Sequence, residues 1–497
     1  MAGHSAEDEA GLVARTHPVR VLELFAGVGG MRLALSYAGL NVETVAVEVN
    51  ESALRIYSHN FNGDGSVITK DICSLTVAWF EQQQCCVWTM SPPCQPYTRQ
   101  GNLRDTEDPR ARPLLHIIDV LREMEDVPKA IVLENVKNFE RSESCALLLA
   151  ALRARGYSCR SFLLSPMQFG FPNARKRFYL VAKQGRFPFN LVPSSAPLQQ
   201  REICEATSAT TSGDVAAERC IPWPCMPCLE ALITSDASVT SVDDRLAKVW
   251  DNTLDCLAGL AEDTRELCAA CGRDAPVVAT TAQILRDQGT HEERCNPCSY
   301  VVVPVAAFLD SPAHANSHVE PVQQAAATQS PWIVPESIMR KESARCLDVV
   351  SSDCCHSMCF TKAYGRYVNG TGSVLLLQQR QSEPSLEFGE YTMRDFFGRV
   401  RYFAPREVAR LLGFKLRATS TPRCTDGCLP HCSSHSSVAA AVDMKWTCTC
   451  AGFDFPESLA RREGSREAWA LLGNSLNPQV VALVCRLCQI EQVADKK

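Results

Sequence analysis

The segment Met90-Ser91-Pro92-Pro93-Cys94-Gln95-Pro96-Tyr97 carries one thiol in a loop stiffened by prolines on both sides, which fixes the direction of Cys94. A lone loop cysteine is ordinarily inert, so reactivity requires partners. Val132-Leu133-Glu134-Asn135-Val136 offers a carboxyl, and Asn173-Ala174-Arg175-Lys176-Arg177 offers two guanidiniums. A thiolate adds to an electron-poor ring carbon, and a carboxyl hydrogen-bonded to a ring nitrogen stabilises the charge that develops. Arginines favour thiolate over thiol and can also hold a base carbonyl or a phosphate. C5 of cytosine is too electron-poor to take a methyl group directly and becomes enamine-like once a thiolate has added at C6. Cys94 and Glu134 suit that reaction, with Arg175 and Arg177 beside them.

A second constellation lies upstream, where Leu22-Glu23-Leu24-Phe25-Ala26-Gly27-Val28-Gly29-Gly30 runs from a buried strand into a helix. Its glycines let the backbone approach a ligand at the helix N-terminus. About twenty residues on, Glu48 ends the next strand, where a carboxylate binds both hydroxyls of a ribose. This pattern fits a nicotinamide dinucleotide and S-adenosylmethionine equally, and a tight turn without a ligand remains open at this point.

The elements that must position these groups follow from periodicity. Apolar runs predict strands near Val19–Leu24, Val42–Val47, Val87–Met90, Ala130–Leu133 and Arg177–Val181, with helices between them. That alternation predicts an α/β fold with a mostly parallel, doubly wound sheet, whose carboxyl edge would carry both the glycine loop and Cys94. After Lys183 the pattern dissolves into sequence rich in Ser, Thr, Ala, Pro and Cys, with patchy helices such as Asp243–Trp250. Order returns near Cys359. A basic strand-like run, Arg399–Phe403, precedes a helix over Pro405–Phe414, and an amphipathic helix over about Pro478–Glu491 follows Gly473-Asn474-Ser475.

Composition bounds the setting. With 497 residues, 46% hydrophobic and 21% charged, the chain can bury a sizeable core, and a net charge of −6 argues against coating nucleic acid by charge alone. The first residues, with Glu7, Asp8 and Glu9, lack the apolar centre of a signal peptide. A cytoplasmic protein is expected, with a nuclear pool also open, and its 26 cysteines are then reduced thiols rather than disulfides.

Five motifs in order, the Phe25 glycine loop, Pro93-Cys94, Glu134-Asn135-Val136, the Arg175/Arg177 pair and Gly473-Asn474-Ser475, resemble the cytosine-5 methyltransferase family. The resemblance covers about residues 19–183, 359–414 and 456–490. Cys359-Phe360-Thr361-Lys362-Ala363-Tyr364-Gly365 and Gly370-Thr371-Gly372-Ser373 look like the tRNA branch, whose members modify an anticodon-loop cytosine of aspartate tRNA. The resemblance implies a Rossmann-like S-adenosylmethionine-dependent catalytic domain, with a smaller target-recognition domain. Cys94 carries over as nucleophile, Glu134 as the base-binding acid, and Arg175 and Arg177 as active-site arginines. Phe25, Val28, Gly29, Gly30, Glu48, Val49, Asp71, Ile72, Ser91, Asn474 and Ser475 match cofactor-binding positions. The implied division is a flexible N-terminus (1–18), a catalytic domain (19–190), a target-recognition domain with Cys-rich insertions (191–455) and a segment returning to the catalytic domain (456–497).

The implied partner is tRNA, with cytosine 38 of aspartate tRNA as target, and a monomer is expected. An unpaired loop base also costs least to present to the thiol. Arg99–Arg112, with Arg104 and Arg110, reads as a loop able to close over RNA or as a solvated surface loop. The chain departs from the compact branch in its Cys-rich insertions. Cys225/Cys228, Cys268/Cys271 and Cys295/Cys298 have zinc-ligand spacing, and Cys424, Cys428, His431 and Cys432 form a looser set. Incidental reduced cysteines are the favoured reading, and no metal is assigned to the site. A DNA cytosine-5 methyltransferase would share every catalytic residue, but Cys359-Phe360-Thr361 and the lack of a recognisable DNA-reading module argue against it. Retention of Cys94, Glu134 and both arginines argues against a non-catalytic RNA-binding scaffold. A nicotinamide oxidoreductase would explain Glu48 but not Cys94 with Glu134.

Overall fold

A computed structural model describes residues 18–61, 65–98, 103–169, 171–185, 221–222, 305–310, 330–354, 356–377, 393–417 and 452–488, with positions 187 and 490. The first strands alternate with helices as the periodicity predicts: β1 (Val19–Leu24), α1 (Gly30–Tyr37), β2 (Val42–Val47), α2 (Glu51–Phe61), β3 (Gly65–Ile68), α3 (Val77–Gln82), β4 (Val87–Met90), α4 (Arg112–Glu123), β5 (Ala130–Val136), α5 (Glu143–Ala154), β6 (Tyr157–Leu164) and β7 (Arg177–Gln184). With β8 (Ile221–Pro222) they form an eight-stranded sheet in the order β3-β2-β1-β4-β5-β7-β6-β8. Strands β1 to β5 run parallel, and β7 pairs antiparallel with both β5 and β6. Near-continuous apolar runs such as Ile131-Val132-Leu133 are fully buried, as a sheet covered on both faces requires.

Side-chain caps fix several helix starts. Ser142 accepts from the Cys145 amide to begin α5, and Thr76 accepts from the Trp79 amide to begin α3. The later elements are α6 (Glu336–Met339), β9 (Asp348–Val350), β10 (Ser373–Leu376), β11 (Val400–Tyr402), α7 (Pro405–Leu411), α8 (Glu457–Ala460), α9 (Ser465–Gly473) and α10 (Pro478–Leu487). Strands β9, β10 and β11 form a second, three-stranded sheet in the order β11-β10-β9. An aromatic cluster of Phe360, Tyr364, Tyr402, Phe403 and Trp469 ties this sheet to α9.

The chain's last described helix returns to the first. Asn477 caps α10 by accepting from the Gln479 and Val480 amides, and Pro478 needs no partner in the first turn. Arg486 then donates to the carbonyls of Tyr37 and Ala38 at the end of α1, at 3.0 and 2.9 Å, where a helix presents unpaired oxygens. Lys183 on β7 donates to the Cys488 carbonyl at 3.0 Å. These contacts bring the 456–488 segment against the first domain.

Several boundaries differ from the sequence expectation. β5 extends to Val136 and β7 to Gln184 because they pair over their whole length, a long-range effect that a local pattern does not carry. Helix α7 stops at Leu411 and α10 at Leu487, short of Phe414 and Glu491. β3 and β6 have no counterpart in the expected strands. The helix expected at Asp243–Trp250, the paired cysteines between 225 and 298, and the 424–432 set lie outside the described residues. Among the described residues no group of His, Cys, Asp or Glu stands ready to hold a metal ion, and no helix is long and apolar enough to cross a membrane.

Candidate active site

The parallel strands end on one edge, and the chemistry-bearing residues collect there. After β1, Phe25 adopts φ +57, Gly27 +54 and Gly29 +88, so the backbone coils left-handed before entering α1. Phe25 pays for this conformation with strain of the order of 1–3 kcal/mol, a cost found at functional turns. Gly29 has no alternative, since a Cβ there would stand 2.2 Å from the Phe61 ring. Glu48, at the end of β2, accepts the Gly27 amide at 2.8 Å through Oε2, and the Val49 and Asn50 amides at 2.9 and 2.8 Å through Oε1. The carboxylate thus locks the glycine loop to β2 and still holds lone pairs for a ligand. Val49 beside it is 66% exposed, an apolar side chain left uncovered next to a charge.

The other expected cofactor positions border the same loop. Asp71 and the buried Ile72 follow β3, where Asp71 accepts from the Cys73 amide at 2.9 Å. Ser91, after β4, donates to the Phe25 carbonyl at 3.3 Å. From the far end of the chain, Ser475 comes so close to Gly30 that a Cβ on the glycine would lie 3.1 Å from its Oγ. Asn474 and Ser475 turn out of α9 at that point. Val28 is buried under the turn. A tight cradle without side chains, a helix N-terminus, a carboxylate with lone pairs to spare and an uncovered apolar residue fit an adenosine-containing methyl donor.

Cys94 sits one strand over, in the loop after β4. Asn135 holds this loop to β5 by donating to the Pro92 carbonyl at 3.3 Å, while its own Oδ1 accepts the Val136 amide. Glu134, buried on β5, faces Arg177 on β7, with Arg177 Nε 3.5 Å from Glu134 Oε1. Burial raises the Glu134 carboxyl above its ordinary value, and Arg177 and Arg175 pull against that. Burial likewise raises the Cys94 thiol. Arg177 lowers it, Glu134 adds to the rise, and Arg175 and Lys362 lower it.

The two arginines have different work. Arg175 is buried and spends its guanidinium on other segments: Nη1 donates to Cys359 Sγ at 3.3 Å and to the Phe360 carbonyl at 3.0 Å, and Nη2 to the carbonyls of Gly473 and Ser475. It clamps three stretches of chain together around the site. Arg177 reaches Glu134 and, at 3.7 Å through Nη2, Cys359 Sγ. Cys359 arrives because residues 172–174 dock on 357–358: the Ala174 amide donates to Ser357 and Asn173 donates to the Met358 carbonyl. Burial alone would raise the Cys359 thiol, but the two guanidiniums outweigh it and hold it below its ordinary value.

The structure brings the four residues of the expected catalytic set, Cys94, Glu134, Arg175 and Arg177, within electrostatic reach of one another, and adds Cys359 and Lys362, to which the sequence reading assigned no chemistry. Both stand in the quoted Cys359–Gly365 segment, and its unusual Cys and Lys were the available signal. Of the Arg99–Arg112 segment, Arg99 lies outside the described residues. Residues 100–102 lie outside them too; among those described, Asp105 accepts from the Glu143 and Ser144 amides, and Arg110 pairs with Asp108 at 2.6 Å.

Residues 19–242 match the family model described as C-5 cytosine-specific DNA methylase. A human protein named tRNA (cytosine(38)-C(5))-methyltransferase is 30% identical over 480 residues, covering 95% of this chain and 99% of the relative. The Dnmt2 methyltransferase of S. pombe superposes with a TM-score of 0.55 at 23% identity, covering 96% of this chain and 99% of that one. The Entamoeba histolytica methyltransferase EhMeth gives 0.54 at 20%, covering 96% and 99%. At those identities the two structures speak for the fold alone, and the full-length human match speaks for kinship. A Rossmann-like sheet, the five motifs gathered on its edge and that match lead to one statement: the chain belongs to the tRNA branch of the cytosine-5 methyltransferase family.

Proposed function

We propose that this protein transfers a methyl group from S-adenosylmethionine to C5 of cytosine 38 in the anticodon loop of aspartate tRNA, through a covalent adduct between Cys94 and C6. The observation that carries this reading is the gathering of Cys94 and the buried Glu134 at one sheet edge, with Arg177 Nε 3.5 Å from Glu134 Oε1 and burial raising that carboxyl. A carboxyl that keeps its proton can donate to N3 of the base, which a fully ionised one cannot. Cys94 Sγ forms a bond to C6 as the C5–C6 double bond opens, and the charge moves onto the ring, where Glu134 stabilises it. C5 then takes the methyl group that S-adenosylmethionine supplies when bound. Loss of the C5 proton to a base restores the double bond and expels the thiolate. Phe25, Val28, Gly29, Gly30, Glu48, Val49, Asp71, Ile72, Ser91, Asn474 and Ser475 are the residues that would hold the donor. Arg177, between Glu134 and the thiols, orients the carboxyl and favours the thiolate.

The test uses labelled donor on three substrates: transcribed aspartate tRNA, the same tRNA with cytosine 38 replaced, and a cytosine-rich DNA duplex. Label on the first alone is the expected result. Preferential labelling of the duplex would move the assignment to DNA and leave the Cys94 chemistry standing. Equal labelling of the tRNA without its target cytosine would remove position 38.

A further inference from the structure

The stretch from Cys359 to Ser373 contains Lys362 and Arg366 and no acidic residue. Its backbone is fixed from both ends. The Thr361 amide donates to the Thr371 carbonyl at 2.9 Å, the Tyr367 amide to Ala363 at 3.1 Å, and Thr371 Oγ1 to the Tyr367 carbonyl at 2.7 Å. Gly365 and Gly372 take φ +74 and +142, and a Cβ on either would enter the rings of Trp469, Phe360 or Tyr364. Tyr364 is buried beneath, donating to the Ser373 carbonyl at 2.6 Å. On top of this rigid turn the Tyr367 side chain is 70% exposed, and Lys362 and Arg366 are exposed beside it.

The turn is continuous with the catalytic site: Lys362 acts electrostatically on Cys94, and Cys359 touches both arginines. The turn therefore borders the site to which a base must be delivered. Unpaired RNA offers stackable base faces and phosphates, the two chemistries that an exposed ring beside two exposed cations accepts.

We propose that Lys362, Arg366 and Tyr367 form a platform for the single-stranded RNA flanking the target cytosine, with Tyr367 stacking on a neighbouring base and the two cations holding phosphates. This rests on the reading of the protein as a tRNA methyltransferase. Tyr367→Ala should raise the KM for full-length tRNA by about tenfold, within the range for losing one base–aromatic stack, and leave kcat within about threefold. Tyr367→Phe, which keeps the ring, should stay within about twofold of wild type. Arg366→Gln should lower the salt dependence of binding by about one phosphate contact. A tRNA carrying 2-aminopurine next to the target should be quenched on binding wild type and Tyr367→Phe but not Tyr367→Ala. Calorimetric binding of S-adenosylhomocysteine, unchanged in all three variants, checks that each is folded. Wild-type KM and quenching in Tyr367→Ala would overturn the platform while wild-type methylation upheld the function. A wild-type enzyme that methylates no tRNA would overturn the function and the platform with it.

Discussion

Two thiols face the same pair of arginines and are driven in opposite directions. Cys94, in the loop after β4, is raised because burial outweighs the more distant charges of Arg177, Arg175 and Lys362, and because Glu134 lies near. Cys359, carried in by the docked 357–361 stretch, receives hydrogen bonds from both guanidiniums and is lowered despite its burial. Direct contact with a charge therefore decides over mere proximity to it. The nucleophile is therefore the harder of the two thiols to ionise, and the neighbouring cysteine the easier.

The largest expected effect separates the two thiols outright. Cys94→Ala should abolish methyl transfer while cofactor binding by calorimetry stays near wild type, because the thiol acts on the base. Detectable turnover in that variant would transfer the nucleophile's role elsewhere, with Cys359 the first candidate. Next in size is Glu134→Gln, expected to lose about 10²–10⁴-fold in rate, the usual worth of a positioned acid. The pH profile sharpens this test. A raised carboxyl keeps its proton to higher pH, so wild-type activity should fall on the alkaline side as Glu134 ionises. Glutamine does not titrate, so that fall should vanish from the variant's profile. A rate within a few-fold of wild type would make Glu134 structural.

The contrast between the thiols also marks what the sequence made legible. Cys94, Glu134 and the glycine loop lie at strand ends whose apolar runs are unmistakable, so the edge that gathers them followed from periodicity. The contact between Arg175 and Cys359 spans 184 residues and depends on two irregular segments docking through Asn173 and Ser357. No local pattern announces such a contact. The same reason hid Arg175's role, since its partners at Gly473 and Ser475 lie some 300 positions away. β3 escaped because Gly65-Ser66-Val67-Ile68 is short and mostly exposed, and β6 because its burial is broken at Ser158, Arg160 and Leu163.

A smaller effect is expected on the cofactor side of the site. Glu48→Ala should weaken S-adenosylmethionine binding by about 1.5–3 kcal/mol, the cost of losing hydrogen bonds to a charged acceptor. Because the carboxylate also holds the Gly27 amide, Glu48→Gln should recover part of the loss by keeping an oxygen in place. Calorimetry on the three proteins measures both steps, and unchanged affinity in Glu48→Ala would leave Glu48 as a loop lock alone.

The smallest perturbation tests the resting charge of the thiols without changing a residue. Thiolates, not thiols, react with iodoacetamide, and each unit separating two pKa values makes about a tenfold difference in thiolate fraction at a pH below both. Cys359 is lowered and Cys94 raised, so brief labelling of the free enzyme near neutral pH should modify Cys359 before Cys94, as resolved by peptide mass spectrometry. Raising the pH past the point where Cys359 ionises should close the gap, because Cys359 saturates as thiolate first while Cys94 goes on gaining. Both thiols are partly covered, so access affects each absolute rate but does not itself change with pH. The convergence of the two rates is therefore the deciding observation. Arg175→Met should shrink the preference, since Cys359 then keeps only the longer hydrogen bond from Arg177 against the effect of burial. Equal labelling of both cysteines across the pH range would show that Arg175 and Arg177 do not distinguish the thiols, and the contrast between them would fall.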